Sequence, residues 1–322
     1  MLLASSGPGV CSTEMHVLPG NSAKAFLIMV LHQLGAAVSP NNPNLKILSF
    51  YDTVFEQQKS LLTLAIAENS IANQFHSVGV PSLAPLDNIA DGVYKRVGGS
   101  VGSVLLPGWE KLIESWVHHL QPSLDNGTTA GVFLGDEICC HASVSCWNGL
   151  LDPLAQKLRA MLGPQKILYV NECGTSIAGR NCSCDPHVSP SCGGCDAGHP
   201  GTLPIKQISS ALSHISIDMY AGYSPYSSHF NGSAEVARLR PFVEREIYPR
   251  MNRSAGQLFV TVPGIFACSE TNFAPLAESD TQVATKMETY FAWAQEDPTI
   301  AGFNPCEFLY MLTCVLTIIM MI

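Results

Sequence analysis

Carboxylates recur in this sequence at the ends of short apolar runs. Gly131 to Gly135 leads into Asp136 and Glu137, Lys166 to Asn171 into Glu172, and His214 to Ile217 into Asp218. Two looser cases follow: Leu258 to Cys268 with Glu270 just beyond, and Ile300 to Phe303 with Glu307 beyond. Paired carboxyl groups can protonate a leaving oxygen and attack, or activate water, at the carbon it leaves; this is the chemistry that splits a glycosidic bond. Glu137 is the first candidate for the acid/base. It ends the best-defined run, and the charge of its neighbour Asp136 favours its protonated form. Its partner is open among Glu270, Glu172 and Asp218, because spacing along a chain does not report separation across a site. Each of these acids is equally a candidate helix N-cap or ion-pair partner for one of the few arginines.

Aromatic rings extend the pattern. Tyr51, Tyr169, Tyr220, Tyr223, Tyr226, Phe266 and Phe303 fall in or just after the apolar runs, where a ring can stack on the C–H face of a pyranose or simply fill the core. Asp52, Asp136, Tyr220, Tyr223 and Phe303 are the candidate substrate-binding residues.

The elements that must position these groups read as an alternation. Near-continuous apolar runs separated by amphipathic segments predict an α/β fold, a parallel sheet covered on both faces, of the (β/α)8 TIM-barrel kind, whose chemistry sits at strand C-termini. The expected order opens with a strand at Leu45 to Val54, a helix at Leu61 to Ala67, a strand at Ser70 to Val78 and a long loop from Pro81 to Gly108. Trp109, Leu112, Ile113, Trp116, Val117 and Leu120 then recur at helical spacing. Further helices are expected from Leu150 to Leu162, Ala234 to Met251 and Thr281 to Gln295, each feeding an apolar run. No repeat or low-complexity linker divides the chain. One barrel is expected over 45–307, with an N-terminal segment at 1–44, a cysteine-rich insert at 173–199 and a hydrophobic tail at 308–322.

With this order established, the residues Gly135-Asp136-Glu137, Val170-Asn171-Glu172, Ile217-Asp218-Met219-Tyr220, Val262-Pro263-Gly264-Ile265-Phe266 and Ala301-Gly302-Phe303-Asn304-Pro305 resemble, in sequence, the second half of a TIM-barrel glycoside hydrolase. The resemblance runs from about Ala130 to Glu307. It implies an acid/base after the fourth strand, where Glu137 stands, and a nucleophile after the seventh, where Glu270 is the nearest acid. Where such barrels often present a Trp after the last strand, this chain has Cys306. The final barrel helix is expected after Glu307; the uncharged tail takes its place, so the barrel is expected to be incomplete at its C-terminus.

Composition bounds the partners. A net charge of −9, with Lys and Arg totalling 17 and no basic run, argues against nucleic acid. Gly-rich runs such as Val97-Gly98-Gly99-Ser100 carry no phosphate-loop or dinucleotide fingerprint, so no cofactor is expected. Carbohydrate is the expected partner, for an enzyme or, as the alternative, for a non-catalytic glycan-binding or cell-surface barrel.

The chain has 12 cysteines, many for a reduced compartment. Asn-x-Ser/Thr sequons at Asn126, Asn181, Asn231 and Asn252 agree with a secreted, lumenal or cell-surface glycoprotein. Candidate disulfide cysteines are Cys139, Cys140, Cys146, Cys173, Cys182, Cys184, Cys192, Cys195 and Cys268. The insert, with Cys182, Cys184, Cys192, Cys195, His187 and His199, is read as a disulfide-stapled loop in preference to a zinc site. Ala25 to Val38 reads either as a signal or anchor core or as the first barrel helix. Phe308 to Ile322 is uncharged but shorter than the ~20 residues of a bilayer span, and is read as a candidate for membrane association.

Overall fold

The computed structural model describes residues 42–49, 55, 59, 62–98, 102–140, 144–179, 203–218, 232–263 and 280–304. Its centre is an eight-stranded, wholly parallel sheet. In chain order the strands are β1 (Ile47–Leu48), β2 (Ala65–Ile66), β3 (Ser82–Pro85), β6 (Thr129–Asp136), β7 (Ile167–Cys173), β8 (His214–Asp218), β9 (Leu258–Thr261) and β10 (Ile300–Phe303). From β2 onward each pairs with the next, and β10 returns to pair with β1. The remaining seam lies between β1 and β2. There the N–H groups of Thr63 and Leu64 donate to the Leu48 carbonyl at 3.0 and 3.4 Å, and Leu48 N–H donates to Thr63 Oγ1 at 2.7 Å. These bonds join the two edge strands, β1 and β2, and the architecture is a (β/α)8 barrel.

Side chains alternate across each strand, and the two faces form separate cores. Leu64, Ile66, Leu83, Phe133, Tyr169, Val260 and Ala301 fill the bore. The outward set, including Val132, Leu134, Leu168, Val170, Ile215 and Ile217, packs against the helices. Burying each such aliphatic side chain contributes about 1.5–3 kcal/mol. The helical layer includes α1 (Asn69–Ser77), α2 (Trp109–Asp125), α3 (Asp152–Leu162), α4 (Gly174–Ala178), α5 (Gly232–Phe242) and α6 (Asp280–Glu296). On α2, the expected face of Ile113, Trp116, Val117 and Leu120 is the buried one.

Two early assignments are reversed. The run expected to be helical contains strand β2, and Ser70 to Val78, expected as a strand, forms most of helix α1. The reason is packing. Leu62, Leu64, Ala65, Ile66 and Ala67 are all buried, as a strand enclosed on both faces requires, while α1 buries only Ala72 and Phe75 on one side. The expected long loop at 81–108 also contains structure. It holds β3, which lies between β2 and β6 in the barrel, and an antiparallel hairpin of β4 (Tyr94–Gly98) and β5 (Gly102–Leu105).

Candidate active site

Asp136, Glu137, Glu172 and Asp218 lie at the C-terminal ends of β6, β7 and β8, the fourth, fifth and sixth barrel strands. Glu137 follows β6 directly, and its backbone is the single non-glycine with positive φ among the described residues, at 52°. A left-handed backbone costs an ordinary residue roughly 1–2 kcal/mol, and here it is held by Glu137 N–H donating to the Asn171 carbonyl at 2.9 Å. The turn continues with Cys140 N–H donating back to the Glu137 carbonyl at 3.2 Å. Two disulfides then fix the loop: Cys139–Cys146 closes it on itself, and Cys140–Cys173 ties it to the end of β7.

The Glu137 carboxyl is half-buried. Burial, then the charge of Asp136, pushes its pKa above the usual carboxylate range, and Arg96 partly opposes them. Cys173 Sγ lies 3.0 Å from Glu137 Oε1. Because that sulfur is bonded to Cys140, it has no proton to donate, and a proton at this contact belongs to the carboxyl. For the same reason the grouping of Glu137, Cys140 and Cys173 is no metal site: both thiols are consumed.

Glu172 is different. It shares a face of β7 with Leu168 and Val170, so it points away from the bore, and it is wholly buried. Cys139 N–H donates to its Oε1 at 2.8 Å, and Ser176 Oγ lies 3.2 Å from its Oε2 and 2.8 Å from the Cys173 carbonyl. Burial pushes its pKa up to about 8, with the Glu137 and Asp136 charges adding to the rise and its hydrogen bonds opposing it. A protonated Oε2 can donate to Ser176, leaving the one serine proton for the Cys173 carbonyl.

The bore-facing residues form a polar chain. Asn304 Nδ2 donates to Tyr169 Oη at 3.1 Å, Tyr169 Oη and Ser216 Oγ are 2.7 Å apart, Ser216 donates to Asn171 Oδ1, and Asn171 Nδ2 donates to Asp136 Oδ1 at 2.6 Å. Asp218 alternates with Ile215 and Ile217 and so shares the bore face with Ser216.

Two members of the site were not anticipated from sequence. Asp87, just after β3, carries a carboxyl held above its usual range by burial and then by Asp136, with Arg96 lowering it. Arg96 comes from the β4–β5 hairpin, which is pinned to the Glu137 loop by Ser103 Oγ donating to the Ile138 carbonyl at 3.1 Å. The same field, after burial, pushes Tyr94 up to about 12. No local pattern marked Arg96: Tyr94-Lys95-Arg96-Val97 does not alternate apolar with polar residues, and the two glycines that follow read as a loop.

Phe303, expected against substrate, packs outward in the helix-facing core with its ring centroid 6.2 Å from that of Phe291 on α6. A register shift in β10 between Ile300 and Gly302 breaks the simple alternation there. Glu270, Asp52, Tyr220 and Tyr223 lie outside the described residues, as do Cys182, Cys184, Cys192, Cys195, Cys268, Asn181, Asn231 and the segments 25–38 and 308–322. Asn126 is exposed and Asn252 partly so, in the turns that precede β6 and β9 at the opposite end of the barrel. Among the described residues, no helix is long and apolar enough to cross a membrane.

No protein-family model matches this chain, and no curated protein matches it either. Among solved structures it is similar to a beta-glucuronidase from an uncultured Clostridium species, at 11% identity over 77% of this chain and 38% of that one, TM-score 0.43. It is also similar to a chitinase from Rhizomucor miehei, at 12% identity over 84% of this chain and 96% of that one, TM-score 0.42. This chain thus matches well under half the length of the glucuronidase. Likeness at this level carries no residue role from either enzyme.

Proposed function

We propose that this protein is a glycoside hydrolase of the secretory route, with Glu137 as the acid/base that protonates the departing glycosidic oxygen. The observation that carries this reading is the state of Glu137 itself: a half-buried carboxyl at the C-terminal rim of the fourth strand, with its proton favoured by burial and by Asp136. A left-handed backbone and the Cys140–Cys173 disulfide hold it in place. Disulfides around the site agree with an oxidising compartment.

The second carboxyl of the mechanism is Asp218, which shares the bore face, or Glu270, beyond the seventh strand; the two are separated by mutating each in turn. Glu172 is a poor nucleophile, since burial keeps it protonated and its oxygens are engaged. Glu172 serves instead to hold the Glu137 loop through Cys139 N–H.

The test is turnover on a broad panel of aryl glycosides and polysaccharides. Wild type is expected to hydrolyse at least one, and Glu137→Gln to lose about 10²- to 10⁴-fold in kcat while still binding it. Carbohydrate binding without turnover in wild type would replace this reading with the non-catalytic glycan-binding barrel.

A further inference from the structure

The polar chain across the bore has a direction, and its direction leaves one atom over. At one end the Asp136 carboxylate oxygen accepts, so Asn171 must present its NH2 to it and its Oδ1 to Ser216. Ser216 then spends its one proton on Asn171, and the Tyr169 hydroxyl must donate to Ser216. The tyrosine oxygen is left to accept, which fixes Asn304 with its NH2 toward Tyr169. Asn304 Oδ1 is thereby left as an acceptor. It has no hydrogen-bond partner among the described residues, although Asn304 is 0% exposed. Turning the amide over would leave the Tyr169–Ser216 contact without a proton.

A second buried atom in the same place is also unmatched. Ser49 follows β1 one residue beyond the Leu48–Phe303 register pair and so stands beside Asn304 on the neighbouring strand. Its N–H donates to the Phe303 carbonyl at 3.0 Å, but its Oγ, in a residue 1% exposed, has no partner among the described residues. Ser49 alternates with the outward Leu48 and therefore faces the bore. Buried polar atoms of this kind are costly and call for an explanation, and two on adjacent strand ends at a barrel's C-terminal mouth form a ready hydrogen-bonding site.

We propose that Asn304 Oδ1 and Ser49 Oγ form a hydroxyl-binding subsite on the wall of the bore, which takes the hydroxyl groups of a neutral pyranose. A sugar hydroxyl donating to Asn304 extends the chain through Tyr169, Ser216 and Asn171 to Asp136, and Ser49 both accepts from and donates to a neighbouring hydroxyl. Each added donor strengthens the bonds behind it, so occupancy at Asn304 is felt at Asp136, the neighbour of Glu137. The identity of the ligand as a sugar rests on the glycosidase reading; the unmet acceptor does not.

The experiment measures dissociation constants for glucose, galactose, mannose, xylose and N-acetylglucosamine by calorimetry, with the melting temperature of each unliganded protein and aryl-glycoside turnover alongside. The proteins are wild type, Asn304→Leu and Ser49→Ala. A sugar that binds wild type is expected to bind Asn304→Leu at least about tenfold more weakly, the loss of a buried hydrogen bond. The unliganded Ser49→Ala protein is expected to melt no lower than wild type, because Ser49 Oγ has no hydrogen-bond partner among the described residues; a purely structural serine hydroxyl would lower it. If Asn304→Leu does not fold, Ser49→Ala carries the same expected loss of affinity. Unchanged affinity in the folded variants overturns the subsite, whether or not turnover is seen. Weakened binding in a protein without turnover supports the subsite and removes the glycosidase reading alone. No binding of any of these sugars to wild type overturns the subsite.

Discussion

Glu172 and Glu137 are two carboxyls on neighbouring strands in different surroundings, and the difference is the face each occupies. Glu172 looks outward into the packed layer, where burial holds its proton up to about pH 8. A carboxyl whose folded pKa lies above its unfolded value stabilises the fold fully below the unfolded pKa, near 4.5, and loses that contribution as pH rises through about 8. The melting temperature of wild type should therefore fall across that window, and Glu172→Gln should flatten the fall; a variant with the same slope would refute the assignment. Arg96 acts on Glu137 in the other sense, lowering its pKa. Removing it by Arg96→Gln raises the pKa, so the basic limb of the kcat/KM profile, where an acid catalyst loses its proton, should move to higher pH. An unmoved limb would place Arg96 away from the acid. The acids themselves were legible as residue types ending apolar runs. Their faces were partly legible too, since Tyr169, Asn171 and Cys173 alternate with Leu168, Val170 and Glu172 along β7. Asn304 was not singled out, because an asparagine after a strand reads as a turn residue until Tyr169, across the bore, is known to touch it.

At the scale of elements, the Glu137 loop is secured by two disulfides of unequal reach. Cys140–Cys173 closes a separation of 33 residues and Cys139–Cys146 one of 7. By loop-closure entropy these stabilise by about 3.7 and about 2.4 kcal/mol respectively. Replacing Cys140 and Cys173 together by Ala should lower the unfolding free energy in urea by the larger amount, and should cost turnover as well, since it frees the end of β7 from the acid's loop. Equal losses from the two pairs, with turnover intact, would contradict this. Four of the cysteine candidates are thus paired within the described residues, around Glu137. The strand and helix interchange at 61–78 has a simple cause. Leu61 to Ala67 is an apolar run of a length that suits either element, and only enclosure on both faces by the barrel decides for a strand. The β4–β5 hairpin was hidden in a Gly-rich stretch that local pattern assigns to a loop, yet it brings Arg96 to the acids.

The whole molecule explains why these parts meet. Eight parallel strands closing through the Thr63–Leu48 bonds bring residues 135 apart in sequence, Asn304 and Tyr169, into one hydrogen bond. The barrel was legible from the later strands, whose continuous apolar runs are the mark of a parallel sheet, while the closure depended on two-residue strands that no periodicity announces. Its C-terminal rim holds the acids, whereas Asn126 and Asn252 decorate turns at the other end, where glycans would leave the mouth clear. The most direct measurement of the central claim compares leaving groups. With Glu137 as the proton donor, Glu137→Gln should lose far more activity on a methylumbelliferyl glycoside, whose leaving oxygen needs a proton, than on the 2,4-dinitrophenyl glycoside of the same sugar, whose leaving group departs without one. An equal loss on both substrates, or no loss on either, would contradict it.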